Sequence, residues 1–405
     1  MTPLCTGLLR CAQVSRPRTL TTVGLLNHEP VGQHFETCAE RVCNHDRTVA
    51  RRIGSCWQPD TCYHDGVCEI AELLPAVRRL HDRIRLRVMQ ATKTRTSADL
   101  SRVVSHEGGD VVFAIDRVAE AELLEFVATE IACETPVVLV AEGLPTGQVV
   151  LPEGASETDC RWRMIVDPID GTRLLMYQKR PAWILTGVAP NRGAATHLSD
   201  IELAVQTEIP LIKQHLCDQL WAVRGHDTCA EREDLLSGAR EPIEMKPSQA
   251  TTIHFGYAAV SRFFPGMRDI LAGIDDDIVN RVLGPRPPGG TLTFEDQYPS
   301  SGGQLYSLLC GSDRFLADLR PLMRETAAAR GEALGHCCHP YDICTLLIAE
   351  QLGVAITDPF GAPLEVPFDV ETDVAWVGYA NPVIRRQVEP VLQQVLAARG
   401  LKPNP

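Results

Sequence analysis

An apolar segment that runs into two closely spaced acidic residues constrains this chain most. The segment Trp162–Val166 is followed by Asp167–Thr172, which reads Asp-Pro-Ile-Asp-Gly-Thr. The apolar run predicts a buried strand that ends at Asp167. Pro168 fixes φ, so the chain is expected to turn there at once. That turn can bring both carboxylates to one point, where hard oxygen ligands suit Mg²⁺. An ordinary Asp-Gly turn after a strand stays open as an alternative.

Acidic residues also stand at the predicted ends of other elements. Asp116 follows the apolar run Val111–Ile115, and Glu142 follows the apolar run Pro136–Ala141. Far downstream, Asp342 opens a predicted helix. A single acid at such a place is more often a helix cap or a solvated turn residue. Side chains at strand ends and helix starts converge on a crevice in layered α/β proteins, so together these acids predict one shared site.

The order of these motifs resembles the inositol monophosphatase family, the Mg²⁺-dependent, lithium-sensitive sugar phosphatases. Relatives of that family include fructose-1,6-bisphosphatase and histidinol-phosphate phosphatase. The family signature Asp-Pro-Ile-Asp-Gly-Thr is present in full at Asp167–Thr172. The C-terminal signature looks like Tyr341–Gly353, and the usual Gly-Glu-Glu is reduced here to Ala-Glu-Gly at 141–143. The resemblance extends from near Ile70 to the C-terminus.

The resemblance implies a magnesium centre with two or three ions per site. It implies that Glu142, Asp167 and the backbone carbonyl of Ile169 hold the first ion. Asp167 would also bridge to a second ion, which Asp170 and Asp342 would bind. A third ion is the least supported, because many relatives carry a second Glu where this chain has a glycine, directly after Glu142.

The resemblance also implies which residues act on the substrate. Asp116, Glu142 and Thr172 would be the catalytic residues, with Asp116 and Thr172 orienting and deprotonating the attacking water. The implied substrate-binding residues are Gly171, Thr172, Arg173, Gly302, Gly303 and Asp342. A further hypothesis is that Arg173, Lys179 or Arg180 contacts a second anionic group of the substrate, because guanidinium groups suit phosphate.

Hydrophobic periodicity predicts a mixed structure. An amphipathic helix runs from Ile70 to Val88, and strands and helices then alternate, which predicts a layered α/β or α+β fold. The resemblance implies the αβαβα sandwich of the sugar phosphatases, with the active site between two subdomains. We predict a Cys-rich extension over residues 1–68, an N-terminal α+β subdomain over 69–195 with most metal ligands, and a C-terminal α/β subdomain over 196–405.

The predicted extension contains many cysteines and histidines without a sustained hydrophobic period. Their spacing matches no standard zinc pattern, so a metal or disulfide module is one alternative. Residues 1–28 contain no acid, which is also typical of an organelle transit segment. We favour a flexible, poorly ordered extension. Further along, Cys338 and His339 could bind a soft metal beside Asp342.

Composition limits the partners of this chain. Its 405 residues include 39 Lys and Arg against 52 Asp and Glu, and the formal charge of −13 argues against a nucleic-acid partner. We found no apolar run near the roughly 20 residues that cross a bilayer, so no membrane partner is expected. The scattered downstream cysteines fit reduced thiols in a cytoplasmic protein. The resemblance implies a homodimer.

Together these observations predict a Mg²⁺-dependent phosphomonoesterase. Its substrate would be a small phosphorylated polyol or sugar, similar to an inositol phosphate, which a metal-activated water hydrolyses. A fructose-1,6-bisphosphatase or a nucleotidase-type phosphatase of the same fold is one alternative. A catalytically silent binding or regulatory member of the same fold is another.

Overall fold

Helices and strands alternate along the computed structural model, which describes residues 69–107, 110–285 and 287–402. The helices are α1 (Leu74–Thr94), α2 (Ser97–Leu100), α3 (Asp116–Phe126), α4 (Thr172–Met176), α5 (Arg268–Leu283), α6 (Ser301–Leu309), α7 (Arg324–Arg330), α8 (Leu346–Gln351) and α9 (Pro382–Ala398). The strands are β1 (Val103–Glu107), β2 (Asp110–Phe113), β3 (Val137–Ala141), β4 (Gln148–Leu151), β5 (Trp162–Asp170), β6 (Ala182–Pro190), β7 (Leu203–Ile209), β8 (Leu216–Val223), β9 (Cys229–Asp234), β10 (Ala239–Pro242), β11 (Tyr257–Val260), β12 (Asp313–Asp318), β13 (Ala355–Thr357) and β14 (Trp376–Tyr379). The extension predicted over 1–68 lies outside the described residues.

The larger of the sheets has eight strands in the order β10-β9-β8-β7-β6-β5-β3-β4. Strands β3 and β5 run parallel, and the other neighbours run antiparallel. Every residue of β3 and β5 is buried. Strands that are covered on both faces favour continuous apolar runs over alternating ones, which explains why the sequence pattern predicts them so clearly.

Strand β5 contains an irregularity at the sequence motif. Its pairing with β6 is in register up to Asp167 opposite Leu185 and resumes at Asp170 opposite Trp183. Pro168 lies in the gap, and a proline cannot donate to a strand ladder. Such bulges bend a strand and redirect its side chains. The strand therefore continues through the motif to Asp170, whereas the sequence predicted that it ends at Asp167 and turns at Pro168.

Apolar side chains form three cores. One lies between α1, α3 and one face of the eight-stranded sheet. The second lies between the opposite face of that sheet, helices α6 and α8, and a four-stranded sheet in the order β11-β12-β14-β13. The third lies between the four-stranded sheet and helices α5 and α9. The layers thus follow the order helix, sheet, helix, sheet, helix, and this confirms the predicted sandwich.

Helix α1 shows how the sequence pattern becomes packing. Val77, Leu80, Ile84 and Val88 recur at helical spacing and are all fully buried against the first sheet. Burial of such a side chain contributes about 1.5–3 kcal/mol, so this stripe fixes the helix on the sheet. Residues 69–71 are also helical, as predicted from Ile70, but a two-residue turn separates them from α1, which starts at Leu74.

The structure differs from the sequence analysis at Asp116, and one sheet continues past a predicted subdomain boundary. Asp116 was predicted at the end of a strand, but it is the first residue of α3, because β2 ends at Phe113 and a short turn follows. The eight-stranded sheet continues from Val137 to Pro242, across the predicted subdomain boundary at residue 195. The division into subdomains stays a prediction.

Within the described ranges, the helices are all too short or too polar to cross a membrane.

Candidate active site

Three aspartates from distant parts of the chain meet at one point. Ligand oxygens of Asp167, Asp170 and Asp342 all lie within 4.8 Å of one another, and the three residues are buried. Asp167 and Asp170 lie on either side of the bulge in β5. Asp342 belongs to the 3₁₀ turn Pro340–Ile343, which precedes α8. The structure therefore brings the three acids together, which the motif order predicts.

Asp170 is held by the start of helix α6. The hydroxyl of Ser300 donates to Asp170 Oδ2 over 2.8 Å, and the N–H of Gly302 donates to the same oxygen over 2.5 Å. The first N–H groups of a helix have no partner within it and favour an anion. One carboxylate oxygen of Asp170 is thus fixed by the helix.

The other two aspartates are fixed by backbone groups close to them in sequence. The N–H of Ile169 donates to Asp167 Oδ1 over 2.9 Å. The N–H of His339 donates to Asp342 Oδ2 over 2.6 Å and closes the 3₁₀ turn. These bonds set the direction of each carboxylate before any ligand binds, and preorganised ligands of this kind favour tight metal binding.

Burial and like charge raise the pKa of these groups. Burial has the largest effect on the pKa of Asp167 and Asp342, and the neighbouring carboxylates, including Glu142, raise both further. The pKa of Asp170 is also raised by burial, against the lowering effect of its hydrogen bonds. Buried like charges are unfavourable unless an opposite charge is bound. Hard oxygen donors with uncompensated negative charge fit Mg²⁺.

A cavity of about 100 Å³ opens above the aspartates. Most of the residues predicted for the site line it: Glu142, Asp167, Ile169, Asp170, Gly171, Thr172, Arg173 and Asp342. Gly171 has φ 93°, the left-handed conformation that glycine adopts without strain. It lets β5 turn directly into α4 at the edge of the cavity.

Asp116 lies behind the cavity and contacts it through Thr172. The Thr172 hydroxyl oxygen is 2.9 Å from Asp116 Oδ1 and 2.9 Å from the carbonyl oxygen of Ile169. Because a hydroxyl has one proton, it donates to one of the two at a time. The N–H of Phe113 donates to Asp116 Oδ2 over 2.8 Å and fixes that carboxylate.

Gly302 and Gly303, which were predicted to bind substrate, are not among the residues that line the cavity. Ser300 and Ser301 line it at this point. The N–H of Gly303 donates to Ser300 Oγ over 2.9 Å. A Cβ atom at Gly302 would lie 2.8 Å from Asp170 Oδ2, and one at Gly303 would lie 2.4 Å from the ring of Tyr298. Their contacts in the structure are with the groups that hold Asp170.

A buried glutamine on β7 links the two segments that carry the aspartates. The side-chain amide of Gln206 donates to the carbonyl of Gly302 over 2.8 Å. Its carbonyl oxygen accepts a bond from the Thr345 hydroxyl over 3.0 Å. The start of α6 and the segment behind Asp342 are therefore joined through one side chain.

The walls of the cavity contain residues that the sequence analysis did not assign. Arg320 lies 4.3 Å from the ring centre of Phe263 and donates to Asp318 over 2.8 Å. Arg173 lies 5.7 Å from the ring centre of Phe264, so both guanidinium groups stand beside aromatic faces. Arg173 is one of the predicted substrate-binding residues. The two phenylalanines and Arg320 lie outside the site motifs, and the adjacent aromatic pair is the one sequence signal for such a packed wall.

The other basic residues of the second-anion hypothesis differ in their positions. Arg180 forms an ion pair with Asp296 over 2.5 Å and lies over the ring of Tyr298. Arg173 lines the cavity itself, while Lys179 and Arg180 line a wider groove of about 830 Å³ beside it. Among the three, Arg173 is therefore the one next to the aspartates.

Comparison with known proteins gives a match in structure but not in sequence. No family model matches the sequence, and no curated protein matches it. A fructose-1,6-bisphosphatase from Leishmania major matches with a TM-score of 0.58 at 12% identity, over 83% of this chain and 100% of that chain. The extragenic suppressor protein SuhB from Bartonella henselae matches with a TM-score of 0.54 at 14% identity, over 80% and 99%.

An IMPase from Thermotoga maritima matches with a TM-score of 0.50 at 15% identity, over 81% of this chain and 99% of that chain. These structural matches show the fold, but at such low sequence identity they do not determine the activity. This chain therefore has the fold of the solved inositol monophosphatases and fructose-1,6-bisphosphatases, the fold that its sequence motifs predict.

Proposed function

We propose that this protein is a Mg²⁺-dependent phosphomonoesterase that acts on a small phosphorylated polyol or sugar, similar to an inositol phosphate. One observation carries the proposal: Asp167, Asp170 and Asp342 lie buried and within 4.8 Å of one another at a cavity. The carboxylates at the base of the cavity suit divalent cations, and Arg173 in its wall suits the phosphate that the cations would attract. The likeness of the fold to solved phosphatases supports the same conclusion.

The donor set divides between two ions. Glu142, Asp167 and the carbonyl of Ile169 would hold the first, and Asp170 and Asp342 would hold the second, with Asp167 shared. Bound Mg²⁺ polarises phosphoryl oxygens and lowers the pKa of water. The aspartates cannot supply this chemistry alone, because the negative charge of three carboxylates would repel a phosphate dianion.

Thr172 and Asp116 would manage the proton of the attacking water. Thr172 Oγ1 can accept that proton while it passes its own to Asp116 Oδ1, which lies 2.9 Å away. Asp116 is fixed by the N–H of Phe113, so the proton acceptor does not need to reorganise. Such general base assistance contributes about 10²–10⁴-fold to a rate.

The size of the cavity supports a small phosphate end group. At about 100 Å³ it is smaller than the roughly 300–1,000 Å³ of ordinary ligand pockets. Only the phosphate and the ions would enter it. The polyol or sugar would extend into the wider groove beside Lys179 and Arg268.

A panel of phosphorylated metabolites, assayed with Mg²⁺ and with a chelator, tests this proposal. The panel includes inositol, sugar, bisphosphate and nucleotide esters. We expect hydrolysis of at least one small ester with Mg²⁺, and its loss with the chelator. Asp170→Asn should lower turnover by roughly 10³-fold, since metal ions contribute several kcal/mol to such reactions. Asp313→Asn changes another buried aspartate outside the cavity and should keep activity.

Absence of Mg²⁺-dependent hydrolysis across the panel would favour the catalytically silent alternative. Full activity in Asp170→Asn, with circular dichroism equal to that of the wild type, would reject the second ion site. Preference for a bisphosphate or a nucleotide would select one of the other phosphatase alternatives. The homodimer and the cytoplasmic location stay predictions from the sequence.

A further inference from the structure

We propose that the protein has a second metal site of different chemistry, formed by His336, His339 and Asp342 at the rim of the cavity. One ligand atom from each of the three residues lies within 4.8 Å of the others. Two imidazoles and a carboxylate suit a borderline transition ion such as Zn²⁺, Co²⁺ or Ni²⁺, whereas Mg²⁺ prefers oxygen donors. The inference does not depend on the proposed hydrolysis.

His339 is oriented for such a role by groups on both sides of its ring. Nδ1 lies 3.8 Å from Asp342 Oδ2, so this edge of the ring faces the shared carboxylate. Nε2, on the opposite edge, lies 3.7 Å from Asp373 Oδ1. This separation is an ion-pair distance and not a hydrogen bond, and the carboxylate also pairs with Arg324. Its charge attracts a proton to Nε2 and so favours the tautomer in which Nδ1 is the ligand. The ring also stacks on Tyr341, whose hydroxyl lies 3.4 Å from Nδ1.

His336 completes the group from the preceding loop. Its ring centre is 4.8 Å from that of His339, and its edge meets the ring of Phe264. The backbone carbonyl of His336 accepts a hydrogen bond from Arg320, which holds the loop in place. The charge of Arg320 does not oppose a cation here, because Asp318 binds it through two nitrogens.

The position of the site determines what the ion would contact. Both His336 and Asp342 line the cavity, so coordination positions left open by three protein ligands would face it. A water molecule or a phosphoryl oxygen could take such a position. Asp342 also belongs to the three-aspartate group, so an ion held by the histidines would share a ligand with the Mg²⁺ centre.

Co²⁺ is a suitable probe, because its visible absorption reports its ligands. The full chain is stripped of metal, returned to excess Mg²⁺ to fill the oxygen-only sites, and titrated with Co²⁺. Equilibrium dialysis gives the number of ions bound per chain. We expect His336→Gln and His339→Gln each to bind about one Co²⁺ fewer than the wild type and to lose the matching absorption.

His215→Gln is the matched control, because His215 is exposed in the loop before β8. It should bind Co²⁺ as the wild type does. Ions held by cysteines elsewhere in the chain cancel in this comparison, because each variant differs at one position only. Equal Co²⁺ numbers and spectra in the wild type and both histidine variants would overturn the proposal.

Asp373→Asn decides the matter if a histidine variant does not fold. Loss of the carboxylate beside Nε2 should raise the Co²⁺ dissociation constant about 10–100-fold. An unchanged constant would count against the site. Co²⁺ binding through these histidines in a protein without phosphatase activity would reject the proposed function and leave this site standing.

Discussion

Two groups of buried charge differ in their balance. Between α1 and β9, the guanidinium of Arg85 is 2% exposed and contacts Asp82 over 3.0 Å and Glu233. Arg240 contacts the same two acids over 2.7 and 2.8 Å. We call these four residues the paired network. In the cavity, by contrast, three aspartates lie together, and burial with mutual repulsion raises their pKa.

The comparison shows what each group is for. In the paired network each buried charge meets its opposite within the chain, so the folded protein needs no ligand there. The three-aspartate group contains carboxylates only, so without a bound cation it should destabilise the folded protein. Natural proteins accept such local conflicts at functional sites. The four predictions below test this difference.

Arg85→Met should break the paired network. Removing the buried guanidinium leaves Asp82 and Glu233 paired with Arg240 alone within this network. Loss of one partner of a buried ion pair costs up to about 3–5 kcal/mol. We expect the free energy of unfolding in urea to fall by this amount. Arg330→Met removes the exposed pair with Asp269 and should change stability by less than about 1 kcal/mol. Equal effects in the two variants would contradict the comparison.

Asp167→Asn should have the opposite effect on the metal-free protein. A carboxyl group with a raised pKa in the folded state loses stability as pH rises above its ordinary value near 4. At neutral pH the metal-free variant should therefore be more stable than the metal-free wild type. The wild type should gain about 2.7 kcal/mol from Mg²⁺ at a hundredfold excess over its dissociation constant. Thermal melts in which both proteins gain equally would refute this.

Gly302→Ala should disturb the carboxylate of Asp170. The added methyl would lie 2.8 Å from Asp170 Oδ2 and equally close to Leu185. Overpacking of this kind costs about 1–3 kcal/mol, and Mg²⁺ affinity should fall with it in calorimetric titrations. Gly273→Ala in α5 is the control, since its nearest neighbour lies at 3.6 Å. Unchanged Mg²⁺ binding in Gly302→Ala would show that Asp170 is not a ligand.

The fourth prediction is that a neutral buried histidine, His81, makes the protein less stable as the pH falls. His81 lies 2.8 Å from the hydroxyls of both Thr207 and Thr186. Burial, with the charges of Arg85 and Arg78, lowers its pKa to about 3. Between pH 6.5 and 3 the unfolded chain binds a proton that the folded chain does not, so stability falls with pH by up to about 1.4 kcal/mol per unit.

Urea titrations of the wild type and His81→Asn across this window measure the contribution. The wild type should lose more stability than the variant as pH falls. In the metal-free protein the buried aspartates have raised pKa values, so they increase stability as the pH falls over the same window. Both proteins contain them, so their contribution cancels when the two slopes are compared. An identical slope in both proteins would rule out a neutral His81 in the folded state.

Sequence periodicity predicts the elements that are buried on both faces. Strands β3 and β5 are apolar along most of their length, and the structure confirms both. Strands β9 and β10 escape prediction, because one reads Cys-Ala-Glu-Arg-Glu-Asp and the other Ala-Arg-Glu-Pro. Edge strands carry polar residues on exposed faces. Only their pairing beside β8 makes them part of the sheet.

The site is predictable where it follows the motif and unpredictable where it depends on tertiary contacts. The motif order predicts that Asp167, Asp170 and Asp342 meet, and the structure places them within 4.8 Å. The hydrogen bond from Ser300 to Asp170 spans 130 residues, and no local pattern signals it. Arg320 begins a 3₁₀ turn shortly after β12 and likewise belongs to no site motif. The roles of these residues stay predictions.

The buried amide of Gln206 has a consequence for how such a centre is tuned. It joins the helix start that grips Asp170 to the segment that supplies Asp342. A shorter side chain at this position, as in Gln206→Asn, would displace the start of α6 and the segment behind Asp342 together. If cations bind as proposed, their separation would be set from within the sheet, by a residue that can change without altering a single ligand.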